Sequence, residues 1–230
     1  MGGGADGPAS LAPRAVPGAS AARLASKEKS LHASEQERDD VQADRAAWRA
    51  TQPTLAAEDL IFLDESGVDT AMVRRYARAQ DGQRAVAAAP AGHWRRLTLL
   101  GALGVGGLVA MMTVPRATDT EVFLAFVEQV LLPALQSRPH PIVVLDRLAS
   151  HRSPRVLAAF AAAGVEVRFL PAYSPDFNPI EPCWSKIKTA LRNIAARSLE
   201  ALDEVMPAVL DTINARDARG WFCHCGYAAA

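Results

Sequence analysis

Three acidic residues, Asp64, Asp146 and Glu181, have the types and surroundings that two-metal phosphoryl transfer requires. Asp64 closes the apolar run Leu60-Ile61-Phe62-Leu63, and Asp146 closes Ile142-Val143-Val144-Leu145. Glu181 opens a helix just after the loop Pro171-Ala172-Tyr173-Ser174-Pro175-Asp176-Phe177-Asn178-Pro179. Magnesium takes hard oxygen ligands, and usually only one or two protein carboxylates per ion. Two ions roughly 3.5–4 Å apart clamp the attacking and leaving oxygens of an in-line displacement. A single aspartate is most often a helix cap or a solvated strand end. Two at the ends of buried strands and a glutamate behind a proline-punctuated loop make a joint pattern, because the loop prolines restrict the backbone that delivers Glu181.

Those carboxylates need a sheet and a helix to hold them. Apolar runs predict strands over 59–64, 97–103, 108–114, 141–146 and 165–170, with a Gly-rich hairpin between the second and third. Helical spacing of Val122, Phe123, Phe126, Val127, Val130, Leu131 and Leu135 predicts a helix over 121–136, capped by Asp119 or Thr120. Further helices are expected over 153–163, with Gly164 as the stop, over 180–196 and over 198–215. Ser34 and Glu37 form a capping-box pattern for a lead-in helix over 34–50, which Pro53 ends. No regular element is expected in the arginine-rich stretch before Trp94. Three antiparallel strands followed by helix, strand, helix, strand, helix give an α/β fold, a ribonuclease-H-like mixed sheet flanked by helices. In that layout the first strand lies beside the fourth, and Asp64 beside Asp146.

Composition narrows the classes. The chain has 230 residues, half of them hydrophobic, enough for one domain with a full core. Residues 1–22, rich in Ala, Gly, Pro and Ser, read as disordered, 23–57 as a lead-in segment with one helix, and 58–230 as the catalytic domain. No apolar run suggests a membrane span. Three cysteines (Cys183, Cys223, Cys225) imply no disulfide framework and suit a reducing cytosol. Cys223-His224-Cys225 lacks the second ligand pair that a zinc site needs. The charge balances at 25 basic against 25 acidic residues, yet six arginines face two aspartates between Val68 and Leu100. Such a basic stretch is either a solvated face or a surface for the DNA backbone.

With 82 positions from Asp64 to Asp146 and 34 residues between Asp146 and Glu181, the chain resembles the DDE transposases of bacterial insertion sequences in the mariner superfamily. The stretches that carry the resemblance are Phe-Leu-Asp-Glu-Ser-Gly (62–67), Gly-His-Trp-Arg (92–95), Val-Glu-Gln-Val-Leu (127–131), Leu-Asp-Arg-Leu-Ala-Ser-His-Arg (145–152) and the run from Leu170 to Lys188. The resemblance runs from about Leu24 to Tyr227. It implies that Asp64, Asp146 and Glu181 are both the catalytic residues and the ligands of two Mg2+ ions, with Mn2+ able to substitute. It implies hydrolysis of a phosphodiester at the element end and strand transfer into duplex DNA, with insertion at a TA dinucleotide. It also implies a homodimer on paired ends, in a bacterial cytoplasm. Two features depart from the family. Arg147 stands where relatives carry Asn, a cation able to compete with metal if it faces Asp146. Residues 1–22 do not read as the helix-turn-helix reader that relatives carry ahead of this domain, so the expected alternative is a remnant that folds, and dimerises or binds DNA non-specifically without transposing.

The remaining polar residues carry two readings each. Strand alternation lets only one of Asp64 and Glu65 face the site, and Asp64 is the choice. His151 is open between donating to a phosphate, orienting a ligand and a structural loop role. With Arg152, Lys186, Lys188 and Arg192 it forms the candidate nucleic-acid-binding set, against a plain solvated face. Asp176 reads as a turn residue, and Trp184 as core.

Overall fold

The computed structural model describes residues 33–229 apart from 75, 89, 91 and 93. The disorder expected for 1–22, the start of the lead-in segment and the motif residue His93 lie outside the described residues.

Hydrophobic alternation builds the sheet. Strands β1 (Leu60–Asp69), β2 (Arg96–Gly104), β3 (Gly107–Val114), β4 (Ile142–Leu145) and β5 (Glu166–Phe169) are ordered β3-β2-β1-β4-β5. The first three pair antiparallel, while β1–β4 and β4–β5 pair parallel. Leu60 and Phe62 join a core on one face, and Ile61 and Leu63 a second core on the other. The first face is covered by α1 (Asp39–Thr51), α5 (Ile180–Ile194), α6 (Leu199–Leu210) and α7 (Ala215–His224). The second is covered by α2 (Thr120–Phe126), continued through a π-helical turn (Val127–Leu131) into α3 (Leu132–Leu135), and by α4 (Pro154–Ala162). This is the expected α/β sandwich of a mixed sheet between helices. No helix among the described residues is long and apolar enough to cross a membrane.

Three boundaries differ from expectation. Strand β1 runs five residues past Asp64, because its antiparallel partner continues to Asp69↔Arg96 after the parallel partner has stopped. The lead-in helix begins at Asp39, not at Ser34: residues Ser34–Glu37 form a 3-10 turn, and the Ser34 hydroxyl caps nothing. Asp39 and Asp40 in the first turn suit the positive end of the helix dipole there. The last expected helix, over 198–215, stops at Leu210, and α7 (Ala215–His224) is a further helix beyond it. Asn214 accepts from the Asp217 N–H and Asp217 reaches back to the Asn214 N–H, a capping box that starts α7 afresh.

Candidate active site

The parallel register Phe62↔Val144 places Asp64 beside Asp146 when it is carried on by two residues. Strand β4 ends at Leu145, so Asp146 sits where the sheet opens. On β1, Asp64 continues the Leu60–Phe62 face toward α5, and Glu65 continues the Ile61–Leu63 face toward α2. Glu181 stands in the first turn of α5, its N–H bonded to the Asn178 carbonyl at 3.1 Å. Asp64, Asp146 and Glu181 together line one cavity of about 550 Å³, with Leu148, Tyr173 and Asn178 among its other walls.

Each carboxylate has a different electrostatic setting. Burial pushes Asp64 up to about 7, and the nearby Glu181 charge adds to the rise. The Trp184 indole donates to Asp64 Oδ2 at 3.1 Å, which holds the carboxylate in place and works against that rise. Glu181 is also raised, by burial first, against the pull of Lys188. Asp146 is pushed up by burial but ends below the usual range, because the His151 ring and the Leu148 N–H bond its Oδ1 at 2.6 and 2.9 Å. Two crowded carboxylates held above their ordinary values mark a deficit of positive charge that a cation would relieve. Among the described residues, no three His, Cys, Asp or Glu side chains already stand at ion-binding spacing. Hard oxygens from two strand ends and one helix, short of positive charge, nevertheless fit divalent ions that each take one or two carboxylates.

The loop into Glu181 is pinned from α1. The Arg45 guanidinium is buried and forks onto Asp176 at 2.9 and 2.7 Å, while also donating to Ser174 Oγ at 2.7 Å. The Tyr227 hydroxyl donates to the Phe177 carbonyl at 2.8 Å. Asp176 is therefore a loop anchor, as its turn context suggested. Arg147 faces α1 as well: it pairs with Asp44 at 3.0 Å and donates to the Leu170 carbonyl at 3.1 Å. It makes no ion pair with Asp146, so the objection that it would compete with metal loses its footing.

The candidate DNA contacts divide. His151 is fully buried, between Asp146, Glu65 and the Phe123 ring, so it is corrected as a DNA contact and takes another of its three readings, orienting Asp146. Lys186 is corrected too: its ammonium bonds the Thr212 carbonyl at 2.7 Å and Asp217 at 2.6 Å, tying α5 to α7. Lys188 lies two turns from Glu181 on the same face and acts on its charge. Arg192 lines a surface cleft with Arg74, Tyr76, Thr189 and Asn193, and Arg152 is exposed. Sequence reasoning missed the roles of Trp184 and Glu65. Trp184 lies three residues past Glu181, the spacing that stacks two side chains on one helix face, and that signal was available.

The family described as DDE superfamily endonuclease matches residues 59–203, more than half the chain. No curated protein matches it significantly. Among solved structures it is similar to a Mos1 transposase paired-end complex with left transposon end, 17% identical, with a TM-score of 0.68 over 88% of this chain and 62% of that one. A Mos1 mariner paired-end complex with Mn gives 16% identity and a TM-score of 0.69 over 88% and 63%. The catalytic domain of Mos1 mariner transposase gives 14% identity and 0.59 over 85% and 89%. The chain thus spans about three fifths of the longer Mos1 chains, and the likeness shows a shared ribonuclease-H-like fold.

Proposed function

The chain belongs to the DDE superfamily of endonucleases, and from that premise we propose that it is the catalytic domain of a mariner-like transposase acting on duplex DNA. The observation that carries the reading is the convergence of Asp64, Asp146 and Glu181 on one cavity, with Asp64 and Glu181 held above their ordinary carboxylate range. These three residues would hold two Mg2+ ions, or Mn2+ in their place. Bound there, the ions supply activation of a water or 3′-hydroxyl nucleophile and neutralisation of the leaving 3′ oxygen.

The chain's own groups do the positioning. Trp184 fixes Asp64 Oδ2 and His151 fixes Asp146 Oδ1, so each aspartate keeps an oxygen for an ion. Glu181 reaches the cavity from the first turn of α5, opposite the two strand ends. Lys188, Arg192 and the exposed Arg152 are the cations assigned to DNA phosphates in this reading. Hydrolysis at an element end, followed by strand transfer with the freed 3′-hydroxyl as nucleophile, uses the same geometry twice. Paired ends would require two copies of the chain.

The test is nicking of a supercoiled plasmid in Mg2+ or Mn2+ by the wild type and by Asp146→Ala. Metal-dependent nicking that vanishes in the variant is expected. Equal nicking by both proteins, with both folded, would overturn the assignment.

A further inference from the structure

The two edges of the sheet are built differently. Strand β5 closes one edge with four residues, two of them charged, Glu166 and Arg168, which pair with each other at 2.6 Å. Short length and charge are how a sheet protects an open row of N–H and C=O groups from a second strand. Strand β3 closes the other edge with eight residues, Gly-Leu-Val-Ala-Met-Met-Thr-Val, and none is charged or a proline. Among the described residues, no backbone hydrogen bond from outside the sheet reaches it. A bulge interrupts the β2–β3 ladder at Val109. Bulges turn an edge away from partners, so the regular stretch left open runs from Ala110 to Val114, where Pro115 stops it.

Opposite charges flank this edge at its two ends. Asp211 is exposed at the C-terminal end of α6, where the helix dipole disfavours an acid, and no described cation pairs with it. It lines a groove of about 410 Å³ with Leu210, Ile213 and the first half of β3. At the other end Arg116 is exposed two residues past Val114, and its ion pair with Asp119 is loose, at 3.7 Å. A second copy of the same edge fits both ends. An uncharged strand paired antiparallel with itself sets no like charges opposite each other. Pairing over Ala110–Val114 puts Met112 opposite Met112 and Ala110 opposite Val114. The second copy's Pro115 then meets the bulge at Val109, so the residue without an N–H falls where the ladder is already broken. The second copy's Arg116 comes opposite Leu108, on the groove that holds Asp211. Two-fold symmetry repeats that contact at the other end and stops the assembly at two copies.

We propose that β3 is the contact edge of a homodimer, in which two sheets join through Ala110–Val114 and Arg116 of each copy pairs with Asp211 of the other. This dimer is independent of the endonuclease reading and is tested without DNA or metal.

The experiment exchanges the two charges. Analytical ultracentrifugation of the full chain should show a monomer–dimer equilibrium, and hydrogen exchange should slow at the amides of Ala110–Val114 as the dimer forms. Arg116→Glu sets a glutamate against Asp211 at both ends, and Asp211→Arg sets an arginine against Arg116. Each variant should weaken the dimer about tenfold or more, the effect of like charges facing each other across an interface. Both positions are exposed, so each variant should melt like the wild type. An equimolar mixture of the two variants should restore the dimer, because every contact is then one acid against one base. The double variant should restore it for the same reason, and neither rescue follows from a loss of folding. A wild type that stays monomeric at every concentration overturns the proposal. So does a dimer that either single variant leaves intact, or one that neither the mixture nor the double variant rescues. Amides of Ala110–Val114 already protected in a monomer would mean that the chain covers its own edge, which overturns it as well.

Discussion

His151 Nδ1 lies 2.6 Å from Asp146 Oδ1, deep enough that the histidine is fully buried. Its Nε2 faces Glu65 Oε2 at 3.2 Å, an ion pair without hydrogen-bond alignment, and its ring lies against Phe123 at 4.3 Å. Burial alone would depress the histidine, but the two carboxylates hold it up at about 9, so it is a cation at neutral pH. Successive residues of β1 therefore serve the site from opposite faces of the sheet. Asp64 enters the cavity, while Glu65 acts through His151 on Asp146.

Removing that cation should be costly. His151→Ala leaves Glu65, which is only 14% exposed, without a partner. The expected loss is about 3 kcal/mol in urea denaturation, the scale of breaking a buried pair. Glu65→Gln in the same background should recover part of it, because the stranded charge is then gone. Strictly additive losses in the double variant would show that the two residues are not coupled.

Trp184 should matter more for metal than for folding. Trp184→Phe keeps an aromatic ring against the sheet and loses only the indole N–H on Asp64. Divalent-ion affinity by calorimetry should fall about tenfold or more, as when other partners of metal ligands are removed. Stability should change by about 1 kcal/mol. Gly101, opposite Asp64 in the β1–β2 register, leaves room for the same indole: a Cβ there would meet Trp184 Cη2 at 2.6 Å. Gly101→Ala should therefore push the ring aside and weaken both metal binding and stability. Unchanged affinity in Trp184→Phe would reduce the indole to packing.

Much of the fold was legible because its signals are local. Apolar runs ending in aspartate marked β1 and β4, and the helical spacing from Val122 to Leu135 marked the helix on the far face. Alternation along β1 placed Asp64 and Glu65 on opposite sides. The rest was set by partners distant in sequence. Strand β1 outruns its parallel neighbour because β2 supplies hydrogen bonds to Asp69. His151 stayed open among three roles, because nothing near it in sequence shows that Glu65 and Phe123 enclose it. Lys186 looked like one of a basic stripe until α7, unseen as a separate helix, supplied Asp217.

The raised groups give the metal-free protein a distinctive pH response. Asp64, at about 7 when folded against 3.8, favours the folded state while protonated, so that contribution is lost as pH rises from about 4 to 7. His151, at about 9 against 6.5, contributes fully below 6.5 and loses its contribution as pH rises through 9. Both slopes have the same sign above pH 6. The melting temperature without metal should fall by several degrees between pH 6 and 9. Asp64→Asn should flatten the part below 7 only, and Mg2+ should restore stability at pH 8, where Asp64 is ionised. A melting temperature that rises across this window would contradict both assignments.

Arg147 offers the last test, since its charge beside Asp146 suggested a damaged metal site. In the structure it is an outward tie, paired with Asp44 of α1 while both side chains remain nearly half exposed. An exposed pair of this kind contributes about 0–1 kcal/mol. Arg147→Asn should therefore cost little stability and leave divalent-ion affinity within about twofold, because no direct contact with Asp146 is removed. Asp44→Ala should reproduce its small stability loss, and the double variant should lose no more than either single change, as expected of two residues that serve one tie. A gain in ion affinity of about tenfold or more in Arg147→Asn (about 1.4 kcal/mol) would mean that the arginine reaches the carboxylate in solution after all.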